Sequence, residues 1–403
     1  MTWWIPLRSL LRNRRRTALS VAVIALGTAI SLFVFGFLED AKYQIQATTV
    51  NEYGNLQIAS PQLWNDTADG YEYLLSPETQ AQVLALLDQH TNIAGSTSQL
   101  QFPGLIAAGN QTQIVRVTAQ VPGNDTLNAD GFVIDGRPLQ PSDVASVLMG
   151  RSLANRLGLK VDDVATLTLT TVNGAYNATP LRIVGIYRFT SEQVELQSLF
   201  LPQSFAQILL NTPSVDRIIV NLTSIEATDS SAATIQSQLD AAGLALEVQV
   251  WYELSPFYQQ LAGFFDLLFG FLTLAVFILV FFIILQVLTL AFLERTREIG
   301  TIRALGTTQG QILGQLLLES VWLALLGSLT GVMVGFLFGT GFNALGIQWQ
   351  PPGTVEESVL AVRISFLTAL PPFGVSVFAT LLSALFPAIQ TSRLRVVDAL
   401  RVD

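Results

Sequence analysis

The charged side chains of ERTREIGTIRALGTTQGQI, residues 294 to 312, are suited to polar contacts and not to making or breaking bonds. Arg295, Arg297, Glu298 and Arg303 could meet a partner's polar groups, while Ile299, Ile302 and Leu305 recur at i, i+3, i+6, the spacing of one apolar helical face. Gly306 is a natural stop for such a helix, and Thr308 to Gln311 matches the capping pattern S/T-x-x-E/Q that opens another. The expectation is a short amphipathic helix whose apolar stripe needs a partner, either lipid or protein.

Elsewhere the side chains offer little for catalysis. Cysteine is absent, which removes thiol chemistry and Cys-based metal sites. The only lysines are Lys42 and Lys160, neither within G-x-x-x-x-G-K-[ST], so the 403 residues hold no P-loop. There is no H-E-x-x-H, and the single histidine, His90, reads as a solvated residue near a helix end. Asp66, Asp69 and Glu72 form an acidic loop without the Gly and terminal Glu of an EF-hand, read as solvated. Asp266 and Glu319 lie nearest the interiors of apolar runs, where ionisable residues are functional candidates by default. Each sits within about a turn of its run's polar end, where a carboxylate can reach headgroups or water, which disfavours a proton-coupled role. Nothing here resembles an enzyme's active site.

The elements that carry these residues follow from composition. Half of the residues are hydrophobic and 13% are charged, against about 25% in an average soluble domain. Four uncharged runs, Thr17 to Leu38, Leu267 to Leu293, Ser320 to about Ile347 and Ile364 to about Ile389, reach the roughly 20 residues that a helix needs to cross a bilayer. The expected fold class is an α-helical membrane protein with four transmembrane helices plus a large α+β extracytoplasmic (periplasmic) domain between helices 1 and 2. Eleven of the 21 basic residues flank the spans on one side: Arg8, Arg12, Arg14, Arg15 and Arg16, then Arg295, Arg297 and Arg303, then Arg393, Arg395 and Arg401. That bias predicts both termini and the charged segment in the cytoplasm. The stretch from Glu39 to Gly263 holds 22 acidic and 9 basic residues, a net of −13, and is expected to be exported.

Residues 1–16, MTWWIPLRSLLRNRRR, place Trp4, Leu7 and Leu11 on one helical face and arginines on another, as in helices that lie in the headgroup plane. A cleaved signal peptide is the rival reading, but Glu39-Asp40 follows an apolar stretch of 22 residues where a small-residue cleavage site would stand, so a retained span is expected. The division expected is span one with a stalk over 17–50, the exported domain over 51–253, a stalk and span two over 254–293, the charged segment over 294–310, span three over 311–347, an exported loop over 348–363, span four over 364–389 and a cytoplasmic tail over 390–403. Helical periodicity without proline runs from Phe257 to Glu298, about 63 Å against the roughly 30 Å of a hydrocarbon core. Gly327, Gly331, Gly335 and Gly339 place small residues on one face of span three, for packing within the chain or against a second copy.

Within the exported domain, Ser76-Pro77-Glu78 opens an amphipathic helix, VDRIIVNL reads as a strand, SSAATIQSQLDAAG as a helix ending at Gly243, and LALEVQVW as a strand. These make an α/β unit over 51–119 and 212–253, with a β-rich insertion over 120–211.

ERTREIGTIRALG is similar to the signature of the FtsX-like permease family, membrane subunits of MacB/LolCDE-type (type VII, mechanotransmission) ABC transporters. LRNRRRTALSVAVIALG, PAIQTSRLRVVDALR, MGRSLANRLGLKVDDVATLTL and RIVGIYRF resemble further parts of such proteins, so the likeness covers nearly the whole chain. It implies a multi-pass protein of the bacterial cytoplasmic (inner) membrane whose coupling helix docks into a cleft of a separate ABC ATPase. By that resemblance the docking residues are Glu294, Arg295, Arg297, Glu298, Ile299, Gly300, Ile302, Arg303, Ala304, Leu305 and Gly306. No cofactor is expected in this chain, ATP and Mg being bound by the partner ATPase. The other partners implied are a second permease copy, as a homodimer or related heterodimer, membrane lipids and, for efflux, a periplasmic adaptor protein; no nucleic acid is expected. The function implied is export or extraction of a lipid, lipoprotein, peptide or drug, the alternative being ATP-driven regulation of a periplasmic partner such as a cell-wall hydrolase.

Overall fold

The computed structural model describes residues 14–64, 70–123, 133–188, 195–349 and 358–393. The expected helix over 1–16 falls outside them up to residue 13, as do Asp66, Asp69 and the tail from residue 394. Along the chain run α1 (Arg14–Tyr53), β1 (Leu56–Ala59), α2 (Pro61–Trp64), α3 (Pro77–Leu87), β2 (Ile93–Ala108), β3 (Gln111–Gln120), β4 (Val133–Gly136), β5 (Ser146–Gly150) and α4 (Arg151–Leu157). There follow β6 (Val164–Thr170), β7 (Tyr176–Tyr187), β8 (Ser198–Pro202), α5 (Gln203–Leu210), β9 (Arg217–Leu222), α6 (Thr228–Ala241), β10 (Glu247–Val250) and α7 (Trp251–Leu254). The last four helices are α8 (Pro256–Leu293), α9 (Thr296–Ala304), α10 (Gln309–Asn343) and α11 (Phe366–Arg393). Among the described residues two compact units result, one drawn from residues 14–44, 262–349 and 359–393, the other from residues 45–261 and 358.

The larger unit is an α/β domain. Ser76 caps α3, its hydroxyl accepting from the Thr79 amide at 3.2 Å, a contact worth about 1 kcal/mol. Antiparallel β10, β1, β9 and the first half of β2 form one end of the sheet. Leu56, Ile58, Ile218 and Val220 from those strands close a core with Val83 and Leu87 of α3 and Ile235 and Leu239 of α6. The second half of β2 then pairs with β3, and the pairings run on through β8, β5, β7 and β6 back to β2. That closed circuit of six strands leaves no edge among them to recruit another chain. Alternation fills its inside: Val115, Val117 and Ala119 of β3 and Ala165, Leu167 and Leu169 of β6 are buried together with Leu153 of α4 and Phe205 of α5.

The β-rich part therefore starts within β2, whose partner changes from β9 to β3 between Gln99 and Leu100, and not at residue 120. Sequence spacing cannot show that change, because one 16-residue strand serves both cores. Strand β10 begins only at Glu247, and His90 is half-buried with its Nε2 at 2.7 Å from Gln238 Oε1, joining α3 to α6 instead of standing in solvent.

Among the described residues, four helices are long and apolar enough to cross a membrane, Thr17–Tyr53, Tyr258–Leu293, Gln309–Asn343 and Phe366–Arg393. Ile24, Val280, Ile284, Leu288, Leu323, Ala379 and Ala384 bring all four together. A Cβ on Gly331 would lie 2.5 Å from Thr28 Cβ and 2.6 Å from the Ala25 carbonyl oxygen, and one on Gly327 would lie 2.6 Å from Ile24. The glycine stripe of α10 thus packs against α1 of the same chain, where only glycine permits so close an approach. Leu267, Phe271, Leu274 and Phe282 of α8 point outward, a surface suited to hydrocarbon.

Candidate functional site

Span two ends earlier than its periodicity suggests. Glu294 still donates its amide to the Leu290 carbonyl at 3.1 Å, but the Arg295 amide turns to Phe292 at 3.2 Å, and Arg295 takes φ −99° and ψ 5°. Helix α9 starts afresh at Thr296 and stops at Ala304; Gly306 follows with φ +100°, a left-handed geometry natural to glycine. The Thr308 hydroxyl accepts from the Gln311 amide at 3.4 Å, and Gln311 Oε1 accepts from the Thr308 amide at 3.0 Å, closing a reciprocal cap on α10. The segment is bounded at each end by a defined break.

Two sets of residues separate on α9. Facing inward are Arg295, Thr296, Ile299 and Gly300, all buried. Ile299 packs with Phe292 of α8, Ile312 and Leu316 of α10 and Ala388 of α11. Facing outward are Glu294, Arg297, Glu298, Ile302, Ala304, Leu305 and Gly306, with Arg303 half-buried. Leu305 is 84% exposed and Ile302 38%.

The expected single stripe of Ile299, Ile302 and Leu305 is therefore divided. A helix advances about 100° per residue, so each three-residue step falls about 60° short of a full turn. Ile302 and Leu305 rotate progressively away from the inward bearing of Ile299. By the family resemblance all three belong in a partner's cleft; Ile299 is already occupied within the chain.

Electrostatics fix the inner face. Arg295 Nη1 donates to Glu319 Oε2 at 2.5 Å, and its Nε donates to Glu298 Oε2 at 3.2 Å. Burial opposes the charge on Arg295, yet Glu319 and Glu298 outweigh it and lift its pKa above the usual guanidinium value. Glu319 is 1% exposed, so it does not reach headgroups or water as its position near a span end suggested. Its partner lies in the charged segment itself, a pairing legible only from the rule that an intramembrane carboxylate needs an opposite charge. Asp266, by contrast, is exposed and lies 3.9 Å from Lys42. Among the described residues, no group of three or more His, Cys, Asp or Glu could hold a metal ion.

Comparison with known proteins agrees with this architecture. The MacB-like periplasmic core domain matches residues 17–238, more than half of the chain, and the FtsX-like permease C-terminal domain matches residues 270–396. The macrolide export ATP-binding/permease protein MacB 2 of Aeromonas hydrophila is 24% identical over 431 residues, covering 98% of this chain and 60% of that protein. The chain thus spans about three fifths of that relative's length. The ABC transporter permease YvrN of Bacillus subtilis is 22% identical over 429 residues, covering 99% and 98% of the two chains. The crystal structure of the periplasmic region of MacB from Actinobacillus actinomycetemcomitans aligns with 51% of this chain and 92% of that one, at 12% identity and a TM-score of 0.37. The chain belongs to the family of permeases that join a MacB-like periplasmic core domain to an FtsX-like permease C-terminal domain.

Proposed function

We propose that the chain is the membrane subunit of an ABC transporter in which a separate ATPase grips the outer face of α9. Nucleotide-driven motion of the spans then reshapes the periplasmic-type domain and exports or extracts a hydrophobic or amphipathic substrate, such as a lipid, lipoprotein, peptide or drug. The observation that carries this reading is the division of α9. Its inner face is anchored by Ile299 and by the Arg295–Glu319 pair, while Ile302 and Leu305 remain exposed beside Arg297 and Glu298. A purely topogenic charge cluster needs neither the anchor nor exposed apolar residues.

ATP and Mg²⁺ belong, in this reading, to the ATPase, in keeping with the absence of a P-loop from the 403 residues. Both termini and α9 face the cytoplasm, as the positive-inside bias of the flanking arginines supports. A second permease copy and, in an efflux system, a periplasmic adaptor complete the assembly. Of these substrates, a drug is the one supported by the name of the Aeromonas relative, a macrolide export protein; the others rest on the resemblance to the FtsX-like permease family.

Purification of the full chain from its native membrane tests the reading. An ABC ATPase is expected to copurify with the wild type and to be lost from Leu305→Asp, with yield in the membrane unchanged. Undiminished ATPase in the Leu305→Asp preparation would remove α9 as the grip.

A further inference from the structure

Glu319 is the one carboxylate of α10 on the buried face, and the docking surface does not include it. It is 1% exposed and holds Arg295 at 2.5 Å, while the same guanidinium reaches the exposed Glu298 at 3.2 Å. A buried ion pair adds little net stability over an apolar pair of the same volume, because desolvation consumes most of the attraction. Its distinctive property is direction: apolar contacts such as those of Ile299 tolerate sliding, whereas a short ion pair fixes the residue that opens α9 to one atom of α10. From Glu319 the buried face continues through Leu323 to Gly327, Gly331 and Gly335. There α10 meets α1 almost backbone to backbone, at Ile24, Ala25, Thr28 and Ala29, with few side chains to absorb a shift.

We propose that Glu319 is a positioning residue that transmits displacement of α9 into α10, acting through Arg295, and so determines how strongly a docked ATPase is coupled to the spans. The proposal rests on the reading of α9 as the docking helix. Its mechanical path is continuous: exposed Glu298, Arg295, Glu319, then the glycine face against α1.

The test uses the full chain reconstituted in lipid nanodiscs with the ABC ATPase that copurifies with the wild type. Two quantities are read for each variant, ATPase retained on the permease and stimulation of ATP hydrolysis. Glu319→Gln keeps a polar side chain of nearly the same shape but removes the charge. It is expected to retain the ATPase and to lower stimulation about tenfold, within the usual range of coupling between sites. Arg295→Gln alone is expected to lower stimulation to a similar extent, and Arg295→Gln together with Glu319→Gln no further than either alone, which independent effects on shape do not predict. Should Glu319→Gln not accumulate in the membrane, Glu319→Asp keeps the charge with a shorter reach and is expected to lose part of the stimulation. Stimulation at wild-type level, or a fall matched by an equal loss of bound ATPase, would overturn the proposal. Failure of the docking reading itself is distinguishable, because it shows as ATPase retention by Leu305→Asp whatever Glu319 does.

Discussion

At the scale of single residues, the inner and outer faces of α9 make opposite predictions for chemically similar changes. Ile299→Ala removes buried contacts to three other helices and is expected to cost about 2–5 kcal/mol of stability, seen as a lower thermal midpoint of the detergent-solubilised protein. Leu305→Ala, at a position 84% exposed, is expected to leave that midpoint unchanged. A second residue-scale prediction concerns the large domain. Arg137 grips Asp143 in a bidentate pair at 2.7 and 2.8 Å, and the Gln140 amide donates to the same carboxylate at 2.8 Å. The Arg137 hydrogen bonds hold the Asp143 carboxyl below its ordinary 3.8. A carboxyl with a depressed folded-state pKa stabilises fully above its unfolded value and loses that contribution as pH falls through the folded value. Arg137 is partly open to solvent, so screening limits the effect to about 1 kcal/mol at most. Asp143→Asn should therefore lower the unfolding midpoint at neutral pH, and the difference from wild type should close as the pH falls below 3.8.

At the scale of elements, the breaks around α9 and the glycine face of α10 matter most. Thr308→Ala removes the hydroxyl half of the cap on α10 and is expected to cost about 1 kcal/mol, read in the same thermal midpoint. Gly331→Leu places a side chain where even a Cβ meets Thr28 at 2.5 Å. It is expected to force α1 and α10 apart at a cost of at least about 1–3 kcal/mol. Gly341→Ala, on the same helix but with nothing within 4 Å of the added carbon, is the control and should be neutral or slightly stabilising. Much at this scale was legible in the sequence. Long apolar runs name spans by length, Gly306 and Thr308 name helix ends, and a four-residue glycine repeat names a packing face. What was not legible depends on angle or on distant pairing. The turn at Glu294 and Arg295 interrupts a helical pattern that holds neither glycine nor proline from Phe271 to Ile299. The rotation of Ile302 and Leu305 away from Ile299 is a geometric drift that spacing alone disguises. The Arg295–Glu319 contact joins residues 24 positions apart, and nothing local announces it. The change of partner within β2 is invisible for the same reason.

At the scale of the whole molecule, the chain divides its labour among four apolar helices, a large α/β domain inserted after the first, and a short helix between the second and third that is held from inside and open outside. The family assignment fits this division, and the proposed coupling turns on whether the outer face of α9 meets an ABC ATPase in the membrane. Site-specific photocrosslinking measures that directly. A photoreactive residue placed at Leu305 of the full chain in its native membrane is expected to crosslink to an ABC ATPase, and one at Tyr176, an exposed tyrosine of the large domain, is expected not to. Crosslinks from position 305 to lipid alone, with the ATPase present in the same membrane, would contradict the account.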